Sequence, residues 1–223
     1  MKRLLLSRIL AAVFCAAALL AASVARAQVI FAVTVNTTPL IGHAAAPFYL
    51  DFQLNDGAGI GNGNNTAIVS AFNFGGGAPL GGATVFGNAV GSLATNVTLR
   101  DTMPFNEFFQ AFTPGTSLQF LVSLTNAVST PVPDSFSFAI LDSDLFNIPT
   151  NAPGTDALVT FDISGGPVSV HSYAGSSVIP PEAGGPAIAI GAPAVAAVPE
   201  PSTYGLLGAL ALIGVAVLKR RRV

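Results

Sequence analysis

The chain has 223 residues, of which 51% are hydrophobic and only 9% are charged, and it contains one cysteine and no tryptophan. Its formal net charge is −2, but eight of its nine basic residues lie before residue 28 or after residue 218. Between residues 28 and 198 the only basic residue is Arg100, against ten acidic residues, so this stretch has a net charge of −9. Such a surface argues against nucleic acid and anionic lipid as partners, because both need lysine and arginine to neutralise phosphate.

The N-terminal segment, residues 1–27, has the layout of a secretory signal peptide. Three basic residues near its start precede an apolar run over residues 9–24. Small residues follow at Ala25 and Ala27, the two positions that signal peptidase reads, so we predict cleavage before Gln28. An uncleaved N-terminal anchor is the alternative, since the apolar run is at the long end for a signal peptide.

The single cysteine, Cys15, lies inside the predicted signal peptide. After cleavage the mature chain would contain no cysteine. An exported domain without disulfides must be held together by its core alone, and thiol catalysis and a cysteine metal site are excluded.

Residues 28–177 are predicted to form one all-β domain. Apolar side chains alternate with polar ones, which is the period of a strand with one buried face, and turn-forming Gly, Asn and Pro separate the segments. Eight to ten short strands predict an antiparallel β-sandwich of jelly-roll type, with a barrel as the alternative. The alternating segments are Val29–Val35, Phe48–Leu54, Leu118–Leu124, Phe136–Ile140 and Val159–Ile163, with weaker candidates at Thr66–Phe74, Ala83–Phe86 and Asn96–Arg100.

The second of these strands carries a polar stripe. Alternation places Tyr49, Asp51 and Gln53 on the face opposite the core. Many β-sandwich lectins hold sugars on such a face, and an ordinary solvated sheet has the same pattern. The sequence leaves both interpretations open.

Four phenylalanines break the alternation. Phe105, Phe108, Phe109 and Phe112 fall at i, i+3, i+4 and i+7, which predicts one short helix of two turns with four rings on one face. Asp101 and Thr102 are the candidates for the helix cap. We expect this helix to close one end of the sandwich, and the alternative is an exposed aromatic platform for sugar stacking.

Asp142, Asp144 and Asn147 place two carboxylates and an amide within six residues, directly after a predicted strand. Calcium takes about six to eight oxygen ligands, so this density of oxygen atoms suits it. The glycine that an EF-hand loop requires is absent, and Asp and Asn also cap turns unaided. The sequence therefore predicts either a calcium site or an ordinary turn, and no other cofactor.

Residues 178–198 change in character. They are rich in Pro, Ala and Gly and contain a single acidic residue, Glu182. This composition predicts an extended linker that holds the domain away from a membrane.

The C-terminal segment, residues 199–223, contains three elements in order: a proline-flanked acid, an uncharged apolar run and a basic cluster. The apolar run, residues 202–218, would cover about 26 Å as a helix, close to the roughly 30 Å of a bilayer core. Basic residues that flank a span stay in the cytoplasm, so the domain would lie outside it. The tripeptide is Pro199, Glu200 and Pro201, and the basic cluster, which opens the tail 219–223, is Lys219, Arg220, Arg221 and Arg222.

These three elements resemble the PEP-CTERM sorting signal of exported proteins from Gram-negative bacteria that make extracellular polysaccharide. The resemblance implies anchoring in the inner membrane, followed by recognition by an exosortase, a membrane-embedded cysteine protease that cuts near the tripeptide. It further implies delivery to the cell surface or the extracellular matrix. An ordinary C-terminal anchor is the alternative.

The domain is also similar to ectodomains of an uncharacterised group of PEP-CTERM proteins. The segments that carry this similarity are Phe48–Gly57, Phe105–Phe112 and Pro133–Ile140. The similarity implies no activity.

Residues for catalysis are scarce. The two histidines, His43 and His171, lie far apart, and neither is near a Gly-x-Ser-x-Gly motif. We therefore predict a protein that is not an enzyme and has a structural or adhesive role linked to exopolysaccharide in biofilm. The alternatives are a calcium-dependent carbohydrate-binding module and a secreted hydrolase, and the processing partners are signal peptidase and an exosortase.

Overall fold

The computed structural model describes residues 28–128, 131–176 and 185–199, and these residues form two antiparallel sheets packed as a sandwich. The prediction of an all-β sandwich is confirmed. One turn of 3-10 helix, Thr38–Leu40, follows the first strand. The strands in chain order are β1 (Gln28–Asn36), β2 (Phe48–Asn55), β3 (Thr66–Asn73), β4 (Ala78–Phe86), β5 (Ala89–Gly91), β6 (Asn96–Arg100), β7 (Phe105–Thr113), β8 (Ser117–Thr125), β9 (Asp134–Leu141), β10 (Val159–Ile163), β11 (Ser169–Ser172) and β12 (Ala194–Val198).

The strand order is that of a jelly roll with additional edge strands. Sheet 1 has the order β12-β1-β8-β3-β6-β5, and sheet 2 has the order β11-β10-β9-β2-β7-β4. The first strand pairs with the eighth, the second with the seventh and the third with the sixth, which is the nested pairing of this fold. Strands β9 to β11 then widen sheet 2 beyond β2, and β12 widens sheet 1 beyond β1.

Phenylalanine rings from both sheets fill the space between them. Phe52 of β2 is fully buried and lies at the centre of this cluster. Its ring is 5.4 Å from Phe138 in its own sheet and 5.5 Å from Phe120 in the facing sheet. Three more rings lie within 6.4 Å of it, those of Phe72, Phe108 and Phe136.

The prediction of a helix over residues 105–112 is wrong, because this segment is strand β7. It pairs with β2 on one side and with β4 on the other. Phe108 and Phe112 are buried in the core, whereas Phe105 and Phe109 lie on the outer face of sheet 2. The four rings therefore divide between two faces instead of sharing one.

Two amides hide the strand period of β7, because they occupy core-facing positions where apolar residues are expected. Asn106 donates from Nδ2 to the carbonyl oxygen of Leu54 at 3.1 Å, and its Oδ1 accepts from the backbone N–H of Asn88. Gln110 accepts from the backbone N–H of Leu93 at 2.9 Å and donates to the carbonyl of Gly81. Buried amides are tolerated when they are hydrogen-bonded in this way.

Part of the predicted linker 178–198 belongs to the sandwich, so that prediction is wrong for residues 185–198. Ile188 and Ile190 are buried in the core, and β12 adds a strand beside β1. Two isoleucines spaced two apart offer enough apolar surface to dock the segment, which its Pro, Ala and Gly content concealed. Residues 178–184 lie outside the described residues.

Among the residues that the structure describes, no helix is long and apolar enough to cross a membrane. The predicted signal peptide, residues 1–27, and the predicted span, residues 202–218, lie outside this part of the chain. So do Glu200, Pro201 and the basic cluster that begins at Lys219.

Candidate functional site

A continuous row of side chains, here called the polar row, crosses the outer face of sheet 2. Side chains directly opposite each other on antiparallel strands share a face, so the register alone defines the row. Six strands about 4.8 Å apart give it a length of about 24 Å. From β4 to β11 its members are Phe86, Glu107, Gln53, Ser137, Thr160 and His171.

Gln53 joins two carboxyl groups at one end of the polar row. Its Nε2 donates to Oδ2 of Asp51 at 2.8 Å and to Oε1 of Glu107 at 3.0 Å. The prediction that Tyr49, Asp51 and Gln53 lie on the outer face is confirmed. Asp51 is only 2% exposed, however, and its Oδ1 has no hydrogen-bond partner within the described residues.

Both carboxyl groups hold their protons more tightly than usual. Burial, reinforced by the nearby charge of Glu107, raises the pKa of Asp51 to about 8, although the hydrogen bond from Gln53 opposes the shift. Burial also raises the pKa of Glu107. Asp51 is therefore mainly neutral near pH 7, and this part of the face is less negative than its composition suggests.

Aromatic rings border these carboxyl groups. Phe109 lies directly opposite Asp51 on β7, and its ring meets Tyr49 edge-on at 6.0 Å. Phe86 stacks on Phe109 at 6.3 Å and is 51% exposed. The polar row thus ends at an accessible ring surface. The sequence did not indicate that Glu107 and Phe109 belong to this site, because their segment was predicted to be a helix and not a strand of the sheet.

The opposite end of the polar row is open to solvent. His171 of β11 is exposed, and its Nε2 lies 3.9 Å from Oδ2 of Asp162. The imidazole also stacks on Tyr173 with a centroid separation of 6.4 Å. A second aromatic pair therefore stands at this end.

Asp142 organises the turn that was predicted as a possible calcium site. Its Oδ1 accepts hydrogen bonds from the backbone N–H groups of Asp144 at 3.0 Å and Phe146 at 2.9 Å. Asp144 is exposed, and the buried Oδ1 of Asn147 lacks a hydrogen-bond partner among the described residues. The same residues contain no group of three or more His, Cys, Asp or Glu arranged to hold a metal ion. Calcium binding stays a prediction.

A second set of acidic residues is buried where three loops meet at one end of the sandwich. Asn65 joins two of these acidic residues, Asp101 and Asp134. Its backbone N–H donates to Asp101 at 2.9 Å, and its Nδ2 donates to Asp134 at 2.6 Å. Burial, together with Asp134, raises the pKa of Asp101 to about 6. For Asp56 burial acts in the same direction, but backbone N–H groups of residues 58–62 lower its pKa overall. These contacts tie the loops together.

The two histidines lie in different elements. His43 is in the loop before β2, where its Nδ1 accepts from the backbone N–H of Ala45 at 3.2 Å and its ring lies 5.9 Å from that of Phe48. His171 is on the edge strand β11. That the protein is not an enzyme stays a prediction.

The two predicted processing positions meet at one corner of sheet 1. Ile30 of β1 pairs with Val198 of β12. Gln28, which would follow the signal peptidase cut, and Pro199, the first residue of the tripeptide, are therefore near neighbours. Ala25 and Ala27 lie outside the described residues.

The fold and this corner define a jelly-roll β-sandwich whose last strand leads directly into a processing sequence. Residues 197–222 match the family described as the PEP-CTERM protein-sorting motif. No curated protein and no solved structure was found to match the chain. The chain is an exported protein that is sorted by an exosortase and anchored through its C-terminal region before processing.

Proposed function

We propose that the exported domain has a structural or adhesive role at the cell surface or in the extracellular matrix, where it holds polysaccharide on the outer face of sheet 2. The polar row is the observation that carries this proposal. Carboxyl, amide, hydroxyl and imidazole groups follow one another across five strands, and an exposed ring stands beside them.

The chemistry of the polar row suits a carbohydrate chain. Amide and hydroxyl groups both donate and accept hydrogen bonds, which matches the hydroxyl groups of sugars. Phe86 and Tyr173 add apolar surface at the two ends of the row. A face about 24 Å long can contact several sugar units of an extended polymer at once.

The charge of the domain narrows the class of polysaccharide. With a net charge of −9 between residues 28 and 198, the domain repels polyanions. The proposed ligand is therefore a neutral or amine-bearing polysaccharide of the producing cell.

Replacing Gln53 with alanine tests this proposal. The change removes the amide whose Nε2 joins Asp51 to Glu107, and with it the Oε1 acceptor that the proposal places against the sugar. One or two lost hydrogen bonds to the sugar correspond to an affinity lower by a few-fold to about tenfold. Affinity electrophoresis of the exported protein in the producing cell's own polysaccharide measures the loss.

The matched control is Gln119→Ala, at an exposed position on the outer face of sheet 1. Its mobility in the polysaccharide should equal that of the wild type. Equal retardation of all three proteins, with unchanged melting temperatures, would remove sheet 2 as the binding face.

A calcium-dependent carbohydrate-binding module is the second candidate, and the unpartnered Oδ1 of Asn147 beside Asp142 favours it. If calcium binds there, a concentration about 100-fold above Kd stabilises the protein by about 2.7 kcal/mol, which raises Tm by several degrees. Asp144→Asn should abolish that rise, because its exposed carboxylate is available as a ligand. No change in Tm at millimolar calcium would exclude the site.

A further inference from the structure

Within the described residues, strand β12 is hydrogen-bonded to the sandwich on one side only. It is an edge strand of sheet 1, and the strand that its five residues pair with there is β1. Ala194, Ala196 and Ala197 are exposed, and only Val195 and Val198 are half-buried. Small side chains bury little apolar area, so this strand contributes little to stability.

The segment just before β12 is held much more firmly. Ile188 and Ile190 are 4% and 1% exposed, and the carbonyl of Ile190 accepts from the backbone N–H of Gly175 at 2.8 Å. A separation of β12 from β1 would therefore stop at Ile190, and Val195 is the β12 side chain whose contact with the core would be lost.

The sorting motif begins inside this strand. The match starts at Ala197, which pairs with Phe31, and continues through Val198, which pairs with Ile30. Only residues 199–201 separate the end of β12 from the start of the predicted span, and three extended residues reach about 10 Å. A sandwich whose two sheets alone lie about 10 Å apart cannot follow the tripeptide into a membrane-embedded active site.

We propose that β12 must leave β1 before the sorting signal is processed, and that the released strand is the segment bound by the processing enzyme. This proposal rests on exosortase processing of the motif. Released residues 191–199 extend by up to about 30 Å from Ile190, which is enough to carry Pro199 away from the sheet. The backbone groups of β12 that now bond to β1 become available for pairing with an enzyme, as in other cases of strand addition.

A disulfide between β1 and β12 tests the proposal in the full-length protein. Ala32 and Ala196 are directly opposite each other on the outer side of sheet 1, at a separation that suits a disulfide. The mature chain has no other cysteine, and the exported side of the membrane is oxidising. We expect Ala32→Cys with Ala196→Cys to retain Lys219–Arg222 over the time in which the wild type loses them, as read by intact mass.

The control pairs Ala32→Cys with Leu121→Cys, which joins β1 to β8 and leaves β12 free. This variant should be processed like the wild type. A reductant should restore processing of the variant with Ala32→Cys and Ala196→Cys, and that recovery would show that the disulfide-bonded variant is folded. Processing at the wild-type rate in a protein whose mass shows the β1–β12 disulfide would overturn the proposal. A wild type that keeps its basic tail would instead contradict exosortase processing itself, and the proposal with it.

Discussion

Phe52→Ala should lower the free energy of unfolding by about 3–5 kcal/mol, which is a large fraction of the stability of a typical domain. The ring of Phe52 touches five other phenylalanine rings from both sheets, and the side chain is fully buried. Its removal leaves a cavity at the point where the sheets meet, and a chain with one cysteine has no internal disulfide to compensate. Urea denaturation of the exported protein, followed by circular dichroism, measures the change.

Phe105→Ala is the matched control for this prediction. Phe105 begins strand β7 and is 44% exposed, so its loss should cost about 1 kcal/mol or less. Similar losses for the two variants would mean that Phe52 is not the centre of the core.

The sequence is sufficient to predict a strand and its buried face where one face is clearly apolar and the other clearly polar. In β2 the alternation of Phe48, Leu50, Phe52 and Leu54 with polar neighbours predicts the buried face correctly. In β7 the same reasoning fails, because core-facing Asn106 is polar and outward-facing Phe109 is apolar. Residues on other strands accept the hydrogen bond of the Asn106 amide and cover the ring of Phe109. A local sequence pattern contains no information about these distant residues.

The linker prediction fails over residues 185–198 for a related reason. A segment rich in proline, alanine and glycine is typical of a linker, but whether it folds depends on a surface that can receive it. Here β1 offers a free edge to β12, and the core receives Ile188 and Ile190. Neither the edge nor the space in the core can be read from residues 185–198 alone.

The candidate site was predictable only on one strand. Alternation predicts that Tyr49, Asp51 and Gln53 lie on the outer face, but their neighbour Glu107 lies 54 residues from Gln53 in sequence. Cross-strand register brings the two together, and it also buries Asp51, which the sequence presented as part of a solvated stripe. The electrostatic character of the site is therefore a product of topology.

Stability should fall as the pH rises from about 4 to about 8. A carboxyl group whose pKa is raised by folding contributes stability that is fully present below its unfolded pKa and is lost as the pH passes its folded pKa. The pKa of Asp51 rises from 3.8 to about 8, and that of Asp101 rises from 3.8 to about 6. The loss should begin near pH 4 for both residues, and above about pH 6 it should come mainly from Asp51.

Asp51→Asn should flatten the upper part of this pH dependence. The amide has nearly the shape of the protonated acid, its oxygen can still accept from Nε2 of Gln53, and it carries no charge to bury at high pH. We expect the variant to be more stable than the wild type at pH 9, and a shift of one pKa unit corresponds to about 1.4 kcal/mol. Urea midpoints measured at one-unit steps between pH 5 and pH 9 give the two curves.

The control for the pH prediction is Asp162→Asn, an exposed acid on the same sheet beside His171. Its curve should follow that of the wild type. Parallel curves for Asp51→Asn and the wild type would show that Asp51 is ionised in the folded protein at neutral pH. In that case the outer face of sheet 2 would carry the negative charge of Asp51, and an amine-bearing polysaccharide would be favoured over a neutral one, because a negative face attracts a cationic partner.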